Sequence, residues 1–473
     1  MPRYDIDALK GRINGIRSEA NAAIVKQKSR DFFWYSPILK RQLDQVTADL
    51  VVYPTSEAEL LQTLAACFEL RIPVTPRGAG TGNYGQAMPL SGGIVLDVSG
   101  MKAIKSIGNG VFVSEPGAIL AKIDEETRAS TGQELRMHPS TYHTASIGGF
   151  VGGGSGGIGS IRWGGLRDYG NIIRLKVATM EASPRVLELT GNDLQKVAHA
   201  YGTNGIITEV EMPLAPAYDW VDVLIGFPTL KDAISYANLL GEQDGLLTKN
   251  IAVVEAPVAH TYFLRHQKLL QREHHVAIVI VARQALDGML ALTQRFRGAE
   301  ILFNSDRVSE ADKKGLPPAF ELTWNHTTLR ALRVDPSVTY LQVLYPFPNQ
   351  IELIDKIHAR FGSEVPAHLE FVRFDGRVTC FGLPLVRFTT EERLEEIMRI
   401  HEDMGAPIFN PHRYTLEEGG MKQTDAVQLA FKKEADPEGL LNPGKMIAWE
   451  DPNYDFRSGK TFLFPALAER MAG

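Results

Sequence analysis

The hydrophobic and polar positions of the chain follow two alternating patterns from Leu50 onward. LVVYPT at 50–55 is an apolar run typical of a buried strand, and EAELLQTLAACFELR at 57–71 repeats apolar residues at helical spacing. The same patterns predict strands at 72–78, 92–100 and 205–216, a strand entering a helix at 111–131, a hairpin at 172–190 and a helix at 192–202. Residues 1 to about 37 are predicted to form a helical arm.

The alternation of strands and helices resumes in a second unit. Its segments include WVDVLIGFP (220–228), LKDAISYANLLGE (230–242), HVAIVIVA (275–282) and ERLEEIMRIHEDMG (392–405). Sequential units of this kind fold as a sheet with helices on one side, so the pattern predicts an α+β protein.

Composition narrows the class of protein. A chain of 473 residues is too long for a single core, and its hydrophobic fraction of 44% is ordinary for a globular protein. The net charge of −6 argues against a nucleic-acid-binding surface. We find no signal peptide and no apolar run near 18 residues, so we expect a cytoplasmic protein without a membrane span. Cys67 and Cys380 are expected to be small buried hydrophobic residues rather than a disulfide.

Two glycine clusters carry the first chemical signal. In PRGAGTGNYGQ (76–86), three glycines match GxGxxG, but a proline- and glycine-punctuated strand follows, and Lys105 stands where a dinucleotide-binding Rossmann fold needs an acidic residue. Either a tight turn or an anion-binding nest of backbone N–H groups remains. The second cluster, GGFVGGGSGG (148–157), lies between strand and helix patterns, which favours a ligand-contacting surface over a linker.

Four motifs in order resemble the vanillyl-alcohol oxidase-type (PCMH-type) FAD-binding fold, shared by D-lactate and glycolate dehydrogenases. They are PRGAGTG (76–82), HPSTYHTASIGGFVGGGSGG (138–157), DLQKVAHAYGTNGIITEVEMPL (193–214) and LLNPGKMI (440–447). The resemblance implies an FAD-binding domain of two α/β subdomains and a substrate (cap) domain with an antiparallel sheet. The expected boundaries are a helical arm at 1–40, the FAD-binding domain at 41–218, the cap domain at 219–425 and a returning C-terminal segment at 426–473.

The resemblance also implies which residues hold FAD. The pyrophosphate loop would comprise Pro76, Arg77, Gly78, Ala79, Gly80, Thr81 and Gly82. The flavin and ribityl region would be lined by Pro139, Ser140, Ala145, Ser146, Gly148, Gly149 and Gly152, with Gly202, Gly205, Ile206 and Ile207 on the other side and Asn442 near the isoalloxazine edge. The first loop lacks the histidine that tethers flavin in some relatives, so non-covalent FAD is expected. His138 and His143 are the nearby alternatives.

The family's metal motifs are missing from the second unit. Relatives that oxidise D-2-hydroxy acids carry HxGDGNxH and SxEHGxG, whereas this chain reads VRFDGRVTCFGLPLV (372–386) and YTLEEGGMK (414–422), with Glu418 in the histidine's place. A metal site needs several such ligands at once, so no divalent metal is expected.

Catalytic candidates must therefore be other residues of the second unit. A histidine base, a guanidinium for a carboxylate and a phenol suit oxidation of a polar hydroxylated substrate. The candidates are His326, Arg373, His412, Arg413, Tyr414 and Glu417. A structural histidine and a turn with solvated charges are the alternative interpretations of His326 and of residues 410–414.

The leading functional hypothesis is an FAD-dependent oxidoreductase that oxidises the CH–OH group of a small hydroxy acid or alcohol. The alternatives are a metal-free alditol or phenol oxidase of the same fold, using Tyr340, Tyr345 or Tyr414, and an FAD-binding subunit of a larger dehydrogenase. The expected partners are a small hydroxylated substrate and an electron acceptor, which is oxygen, a quinone, a cytochrome or a flavoprotein. Either a homodimer or a complex with a partner subunit is consistent with these hypotheses.

Overall fold

The computed structural model describes residues 4–154, 156–420, 422 and 424–455. A four-stranded sheet with the order β1-β2-β4-β3 begins the fold; its strands are β1 (Arg17–Glu19), β2 (Leu50–Tyr53), β3 (Val74–Arg77) and β4 (Ile94–Asp97). β2, β4 and β3 are parallel, and β1 pairs antiparallel with β2. The predicted helical arm thus also supplies an edge strand, which at three residues is too short to show an alternating pattern.

A second, antiparallel sheet follows in the chain. It runs in the order β5-β6-β10-β8-β9, with β7 also paired to β10. Its strands are β5 (Ile104–Gly108), β6 (Val111–Ser114), β7 (Gln133–Leu135), β8 (Arg174–Ala178), β9 (Val186–Thr190) and β10 (Ile206–Pro216). The predicted hairpin at 172–190 is β8 and β9.

The cap contains a seven-stranded antiparallel sheet in the order β14-β11-β13-β12-β17-β18-β16, and β15 pairs with β19 beside it. The strands are β11 (Trp220–Phe227), β12 (Thr248–Val254), β13 (His275–Ala282), β14 (Glu300–Asn304), β15 (Val338–Tyr340), β16 (Val343–Tyr345), β17 (His368–Phe374), β18 (Arg377–Gly382) and β19 (Leu385–Arg387). The α+β prediction with an antiparallel cap sheet is confirmed.

The helices surround these sheets. Those before the cap are α1 (Ile6–Arg12), α2 (Ala22–Lys28), α3 (Pro37–Leu43), α4 (Glu57–Glu69), α5 (Leu120–Thr131), α6 (Ile147–Gly153) and α7 (Ser160–Trp163). The cap carries α8 (Leu230–Gly241), α9 (Val258–Tyr262), α10 (Leu286–Thr293), α11 (Glu310–Lys313), α12 (Asn325–Val334), α13 (Gln350–Phe361) and α14 (Glu391–Asp403), and α15 (Ala426–Ala435) and α16 (Ile447–Glu450) follow it.

Helix α4 illustrates how local sequence sets these elements. The side chain of Ser56 accepts a hydrogen bond from the Glu59 N–H, and the Glu59 carboxylate accepts one from the Thr55 N–H. This reciprocal capping fixes the first turn. The apolar face, including Cys67, is buried in the core of the first sheet. Cys380 is buried as well, which confirms both cysteine predictions.

The two faces of the cap sheet belong to different cores. Along β13, alternate residues pack either with helices α8, α10, α13 and α14 or with α9 and α12. This alternation is the period-2 geometry of a strand buried on both faces. The sheet face that carries α12 is turned toward the functional site described below.

The segment after the cap packs against the first half of the chain. The backbone N–H of Val74 donates to the carbonyl of Leu440 at 2.8 Å, beside a parallel bridge to Leu441. Phe431 and Ala435 of α15 lie in the core of the second sheet. Residues 440 and 441 thereby hold the first residue of β3 in place.

Two segments differ from the sequence predictions. The helix predicted at 192–202 is only a 3-10 helix at Gly191–Lys196, because His199 and Tyr201 adopt left-handed backbone conformations, with φ of 54° and 53°. The glycine tract begins with α6, which the pattern did not predict because glycine is a poor helix former. Ser155, within the tract, lies outside the described residues.

Candidate functional site

A narrow cavity of about 120 Å³, called here the inner cavity, lies where the loop at the end of β3 (Pro76–Gly82, called here the β3 loop), α6 and the start of β10 converge. Three groups of residues form most of its lining, namely Pro76–Gly82, then Ser146, Gly148, Gly149, Gly152 and Gly153, and finally Gly202, Gly205, Ile206 and Ile207. Eighteen residues of the sequence-predicted FAD set thus fall in these groups or in the adjoining cavity, and only Asn442 lines neither.

Glycine lets two backbone segments of the inner cavity approach each other. A Cβ on Gly78 would collide with Ser146 Oγ, which accepts a hydrogen bond from the Ala79 N–H at 3.2 Å. A Cβ on Gly148 would lie 2.5 Å from the Cβ of Pro116. The β3 loop and the start of α6 therefore form one continuous surface only because these positions lack side chains.

Other glycines of α6 instead leave the cavity open. A Cβ on Gly152 would come no closer than 4.0 Å to another residue, and one on Gly153 would have no neighbour within 4 Å. Both residues line the inner cavity. Helix α6 therefore presents bare backbone to the cavity, as a flat ligand held against it would require.

The side chain of Arg77 supports the backbone of the β3 loop. Its guanidinium donates to the carbonyls of Arg30 (2.5 Å) and Ala79 (3.4 Å), and it packs under Gly80. Burial lowers the pKa of Arg77, while Asp97 and Asp31 oppose that effect. Asp31 also lines the cavity, and burial raises the pKa of its carboxyl to about 6.

Asn442 supports this cavity from outside. Its side-chain amide donates to the carbonyls of Gln86 and Tyr201, both at 2.8 Å, and only 1% of the residue is exposed. It therefore joins the C-terminal motif to Gln86 and Tyr201, which both line the inner cavity.

A larger cavity of about 390 Å³, the outer cavity, continues from the inner one. The two share Thr81, Gly82, Gln86, Gly149, Gly153 and Tyr201. One wall is built of small residues before the cap, including the predicted Pro139, Ser140 and Ala145. The cap sheet, α12 and loops of the cap supply another part of the lining, called here the cap wall.

Helix α12 contributes the titratable group of the cap wall. His326, Leu329 and Arg333 have the spacing of one helix face, and all three line the outer cavity. Burial, with the nearby charges of Arg330 and Arg333, lowers the pKa of His326 to about 4. The imidazole is therefore neutral at pH 7 and can accept a proton.

The start of α12 is held in a strained conformation. Trp324 has a left-handed φ of 53°, and its N–H donates to the buried Glu370 carboxylate at 2.5 Å. The same Glu370 oxygen lies 2.7 Å from Nε2 of His368. Burial raises the pKa of Glu370. This contact fixes the position of His326 two residues later.

The outer cavity is positively charged. Arg167, Arg333 and Arg373 line it, and no carboxylate does among the described residues. Burial lowers the pKa of Arg167 to about 10, so it remains charged at pH 7. Arg373 donates to Asp244 at 3.3 Å, whereas Arg333 lies exposed at the rim. An anionic ligand fits this set of charges.

His199 and Tyr201 line the outer cavity but were missed by the sequence analysis. The hydroxyl of Tyr201, a residue only 4% exposed, has no hydrogen-bond partner among the described residues. Burial, together with Arg167 and Lys422, lowers the pKa of His199 well below its usual value. Both residues precede Gly202, which the sequence analysis assigned to the FAD site, so their position in the sequence could have indicated them. The helix predicted at 192–202 gave no reason to place their side chains in a cavity.

The predicted residues at 412–417 do not line either cavity. His412, 1% exposed, accepts from Ser36 Oγ at 2.7 Å and donates through Nε2 to the Tyr340 carbonyl at 3.1 Å. Glu417 accepts hydrogen bonds from Thr424, Ile447 and Ala448. These two residues tie the cap to the arm and to the C-terminal segment.

The remaining two candidates of this loop lie nearer the surface. Arg413 forms an ion pair with Glu395 at 3.3 Å. The ring of Tyr414 contacts the ammonium of Lys445, 4.9 Å from the ring centroid. The structure thus brings His326 and Arg373 to the outer cavity, but not His412, Arg413, Tyr414 or Glu417.

Two further features bear on cofactors. Within the described ranges, no three His, Cys, Asp or Glu side chains are grouped so that they could hold a metal ion. His138 and His143, the alternatives for a flavin tether, line neither cavity.

None of the helices in the described ranges is long and apolar enough to cross a lipid bilayer.

Comparison with known proteins identifies the family. A family model described as FAD binding domain matches residues 48–187. The glycolate oxidase subunit GlcD of Escherichia coli (strain K12) is 30% identical over 436 residues, covering 84% of this chain and 83% of that protein. The mitochondrial D-lactate dehydrogenase [cytochrome] of Arabidopsis thaliana is 24% identical over 434 residues, covering 84% and 73%.

A solved structure shows the same fold at low sequence identity. The 4-ethylphenol oxidase from Gulosibacter chungangensis superposes with a TM-score of 0.66 at 18% identity, covering 93% of this chain and 96% of that one. The glycine-bare surface of α6 and the β3 loop fits the FAD that this family binds. The chain therefore belongs to the vanillyl-alcohol oxidase-type (PCMH-type) family of FAD-dependent oxidoreductases, which confirms the family, fold and cofactor that its motifs predicted.

Proposed function

We propose that this FAD-dependent oxidoreductase oxidises the CH–OH group of a 2-hydroxy acid in the outer cavity, with His326 as the base. The observation that carries the proposal is the neutral imidazole of His326 beside arginines in the outer cavity. Among the described residues, no carboxylate lines this cavity, and glycines of α6 also line it. The names of the relatives, D-lactate dehydrogenase and glycolate oxidase subunit, support the same substrate class.

The proposed FAD site uses the predicted residues of the inner cavity. The β3 loop, Pro76–Gly82, would hold the pyrophosphate through backbone N–H groups. The bare face of α6 would lie against the ribityl and flavin portions, with Ser140 and Ala145 at the outer end. FAD, when bound without a covalent tether, supplies the acceptor for the hydride of the substrate C–H bond.

The proposed chemistry of the protein residues is proton removal and orientation. His326 takes the proton of the substrate O–H, which leaves a 2-oxo acid once the C–H hydride has departed. Arg333, on the same helix face, binds the substrate carboxylate, and Arg373 adds positive charge. The contact between Glu370 and Trp324 keeps α12 in place during this step.

Anaerobic spectroscopy of the purified protein tests the proposal. The visible absorbance of bound FAD should be bleached by a 2-hydroxy acid but not by alditols or phenols. Bleaching by a phenol instead would support the phenol-oxidase alternative, for which the cavity offers Tyr35, Tyr84 and Tyr201. If none of these compounds bleaches the flavin, the proposed function is wrong.

The electron acceptor belongs to the same proposal. Oxygen, a quinone, a cytochrome or a flavoprotein would reoxidise the flavin. If the acceptor is another protein chain, that chain would be a partner subunit. The similarity to a protein named as a subunit supports the partner. Comparing oxygen uptake with dye reduction separates an oxidase from a dehydrogenase.

Removing the positive charge of Arg333 should weaken substrate binding. We expect Arg333→Gln to raise KM roughly 10- to 100-fold with a small change in kcat, because a charge-assisted hydrogen bond is lost. Arg330→Gln is the matched control, since Arg330 lies on the same helix, donates to Glu321 and does not line the cavity. Equal effects of both variants on KM would contradict the assignment.

The pH dependence of flavin reduction should report His326. Since its pKa is lowered to about 4, the base is neutral above that value, and kcat/KM should be constant from about pH 6 to about pH 8. Activity should fall below about pH 5 as the imidazole becomes protonated. Because the charge of Arg333 lowers this pKa, Arg333→Gln should move the acid limb to higher pH. An unmoved limb would argue against His326.

A further inference from the structure

The cap wall of the outer cavity is mainly apolar. Six of its apolar side chains, called here the ridge, come from α12, β17, β18 and two loops, and they are Leu329, Val372, Phe374, Phe381, Leu383 and Phe409; Trp324 lines the same wall. The ring centroids of Phe374 and Phe381 are 6.0 Å apart, and those of Phe381 and Phe409 are 5.6 Å apart, both in edge-to-face geometry. The three phenylalanines form the aromatic part of the ridge.

This ridge is only partly used by the protein core. Val372, Leu383 and Phe409 are buried, but Leu329, Phe374 and Phe381 remain half-buried, with part of their surface turned to the cavity. Apolar surface left against water is unfavourable, and a ligand that covers it gains free energy. The ridge therefore points to an apolar ligand group.

The ridge and the proposed cofactor surface come from different parts of the chain. Gly149 and Gly153 line both cavities and, with the hydroxyl residues Ser140 and Thr141, belong to the FAD-binding half. The apolar side chains of the ridge come from the cap, which is the proposed substrate side.

The apolar wall also adjoins the polar groups that would hold the reacting end. Leu329 lies between His326 and Arg333 on one face of α12. A carboxylate bound at Arg333 and a hydroxyl at His326 would direct the rest of the molecule along Leu329 toward Phe381. A lactate or glycolate molecule, with one methyl group or none, would leave this surface in water.

We propose that the substrate is a 2-hydroxy acid with a large apolar substituent, an alkyl chain or an aryl group, bound along the ridge from Leu329 to Phe409. This inference rests on the proposed function and deepens it. Burying each further methylene should strengthen binding roughly fourfold. Four additional carbons should therefore raise kcat/KM about 250-fold over lactate, up to the length at which the ridge ends.

Two length series measured on the FAD-loaded protein test the proposal. Calorimetric titration with acetate, butanoate, hexanoate and octanoate gives Kd without turnover, and we expect it to fall roughly fourfold per methylene. Anaerobic flavin reduction by D-2-hydroxy acids of three to eight carbons should show the same trend in kcat/KM. The aryl analogue phenyllactate should likewise exceed lactate.

A matched pair of variants on α12 locates the effect. Leu329→Ala should weaken octanoate binding about tenfold and acetate binding much less, because acetate has only one methyl group to pack against residue 329. Leu332→Ala, on the same helix but outside the cavity, should keep the wild-type dependence on length.

The outcomes separate this proposal from the proposed function. Reduction by lactate with no gain from longer chains, and a Kd independent of length, would overturn the apolar substituent while leaving the 2-hydroxy acid in place. Length-dependent carboxylate binding without reduction by any hydroxy acid would support the apolar ligand and overturn the oxidation of 2-hydroxy acids.

Discussion

Replacing His326 with alanine should lower the rate constant of flavin reduction about 10³-fold while FAD remains bound. A positioned base of this kind contributes about 10² to 10⁴ to the rate, and His326 is the neutral imidazole of the cap wall nearest Arg333. FAD should stay bound because the inner cavity, which would hold the pyrophosphate, does not include α12. Stopped-flow absorbance of the holoprotein measures the rate.

His266→Ala is the control for this prediction. His266 is also buried, with its pKa lowered to about 4, but it lines neither cavity. Its replacement should leave flavin reduction within about twofold of wild type. An unchanged rate in His326→Ala, together with a large loss in His412→Ala, would reverse the assignment between the two predicted histidines.

Adding a side chain to Gly153 should weaken FAD binding without unfolding the protein. Gly153 lines both cavities, and a Cβ there meets no protein atom within 4 Å, so the side chain added by Gly153→Val would project into the cofactor space. FAD affinity should fall roughly 5- to 150-fold, since overpacking a fitted site costs about 1–3 kcal/mol. Fluorescence titration of the apoprotein with FAD gives the Kd.

Gly11→Val provides the matched control. Gly11 is also helical, a Cβ there would likewise meet no other atom within 4 Å, and the residue lies in α1 outside both cavities. Both variants should keep the Tm of the apoprotein, because valine is no worse than glycine in a helix. Equal FAD affinities of the two variants would refute the α6 surface as the cofactor site.

The FAD half could be predicted from the sequence because its function depends on backbone. The β3 loop and α6 need glycine wherever two segments approach or a ligand covers them, and glycine is visible in a sequence. Asn442 was predicted to lie near the isoalloxazine edge, and the structure gives it a supporting position behind Gln86 and Tyr201.

The cap wall could not be predicted in the same way, because its residues come from distant positions. His326 and Phe381 meet only after β17, β18 and α12 have packed. The residues at 412–417 were attractive candidates because charges and rings are adjacent there. In the structure these residues instead connect the cap to the N-terminal arm and to the C-terminal segment. The hydrogen bond between His412 and Ser36 is one example.

His199 and Tyr201 show a further limit of prediction from hydrophobic patterns. The apolar spacing of 192–202 is helical, but the 3-10 helix ends at Lys196, and the left-handed backbone at both residues is incompatible with a longer helix. Both side chains line the outer cavity. Left-handed conformations of non-glycine residues depend on tertiary contacts, such as the bond from Asn442 to the Tyr201 carbonyl.

A 2-hydroxy acid bound at the cap wall should pass the hydride of carbon 2 to bound FAD. Anaerobic flavin reduction by D-2-hydroxyoctanoate carrying protium or deuterium at carbon 2 measures this transfer. We expect complete bleaching of the flavin absorbance, slowed by deuterium because the C–H bond breaks in that step. A flavin that stays oxidised in the presence of this acid and of lactate would show that the outer cavity does not oxidise 2-hydroxy acids.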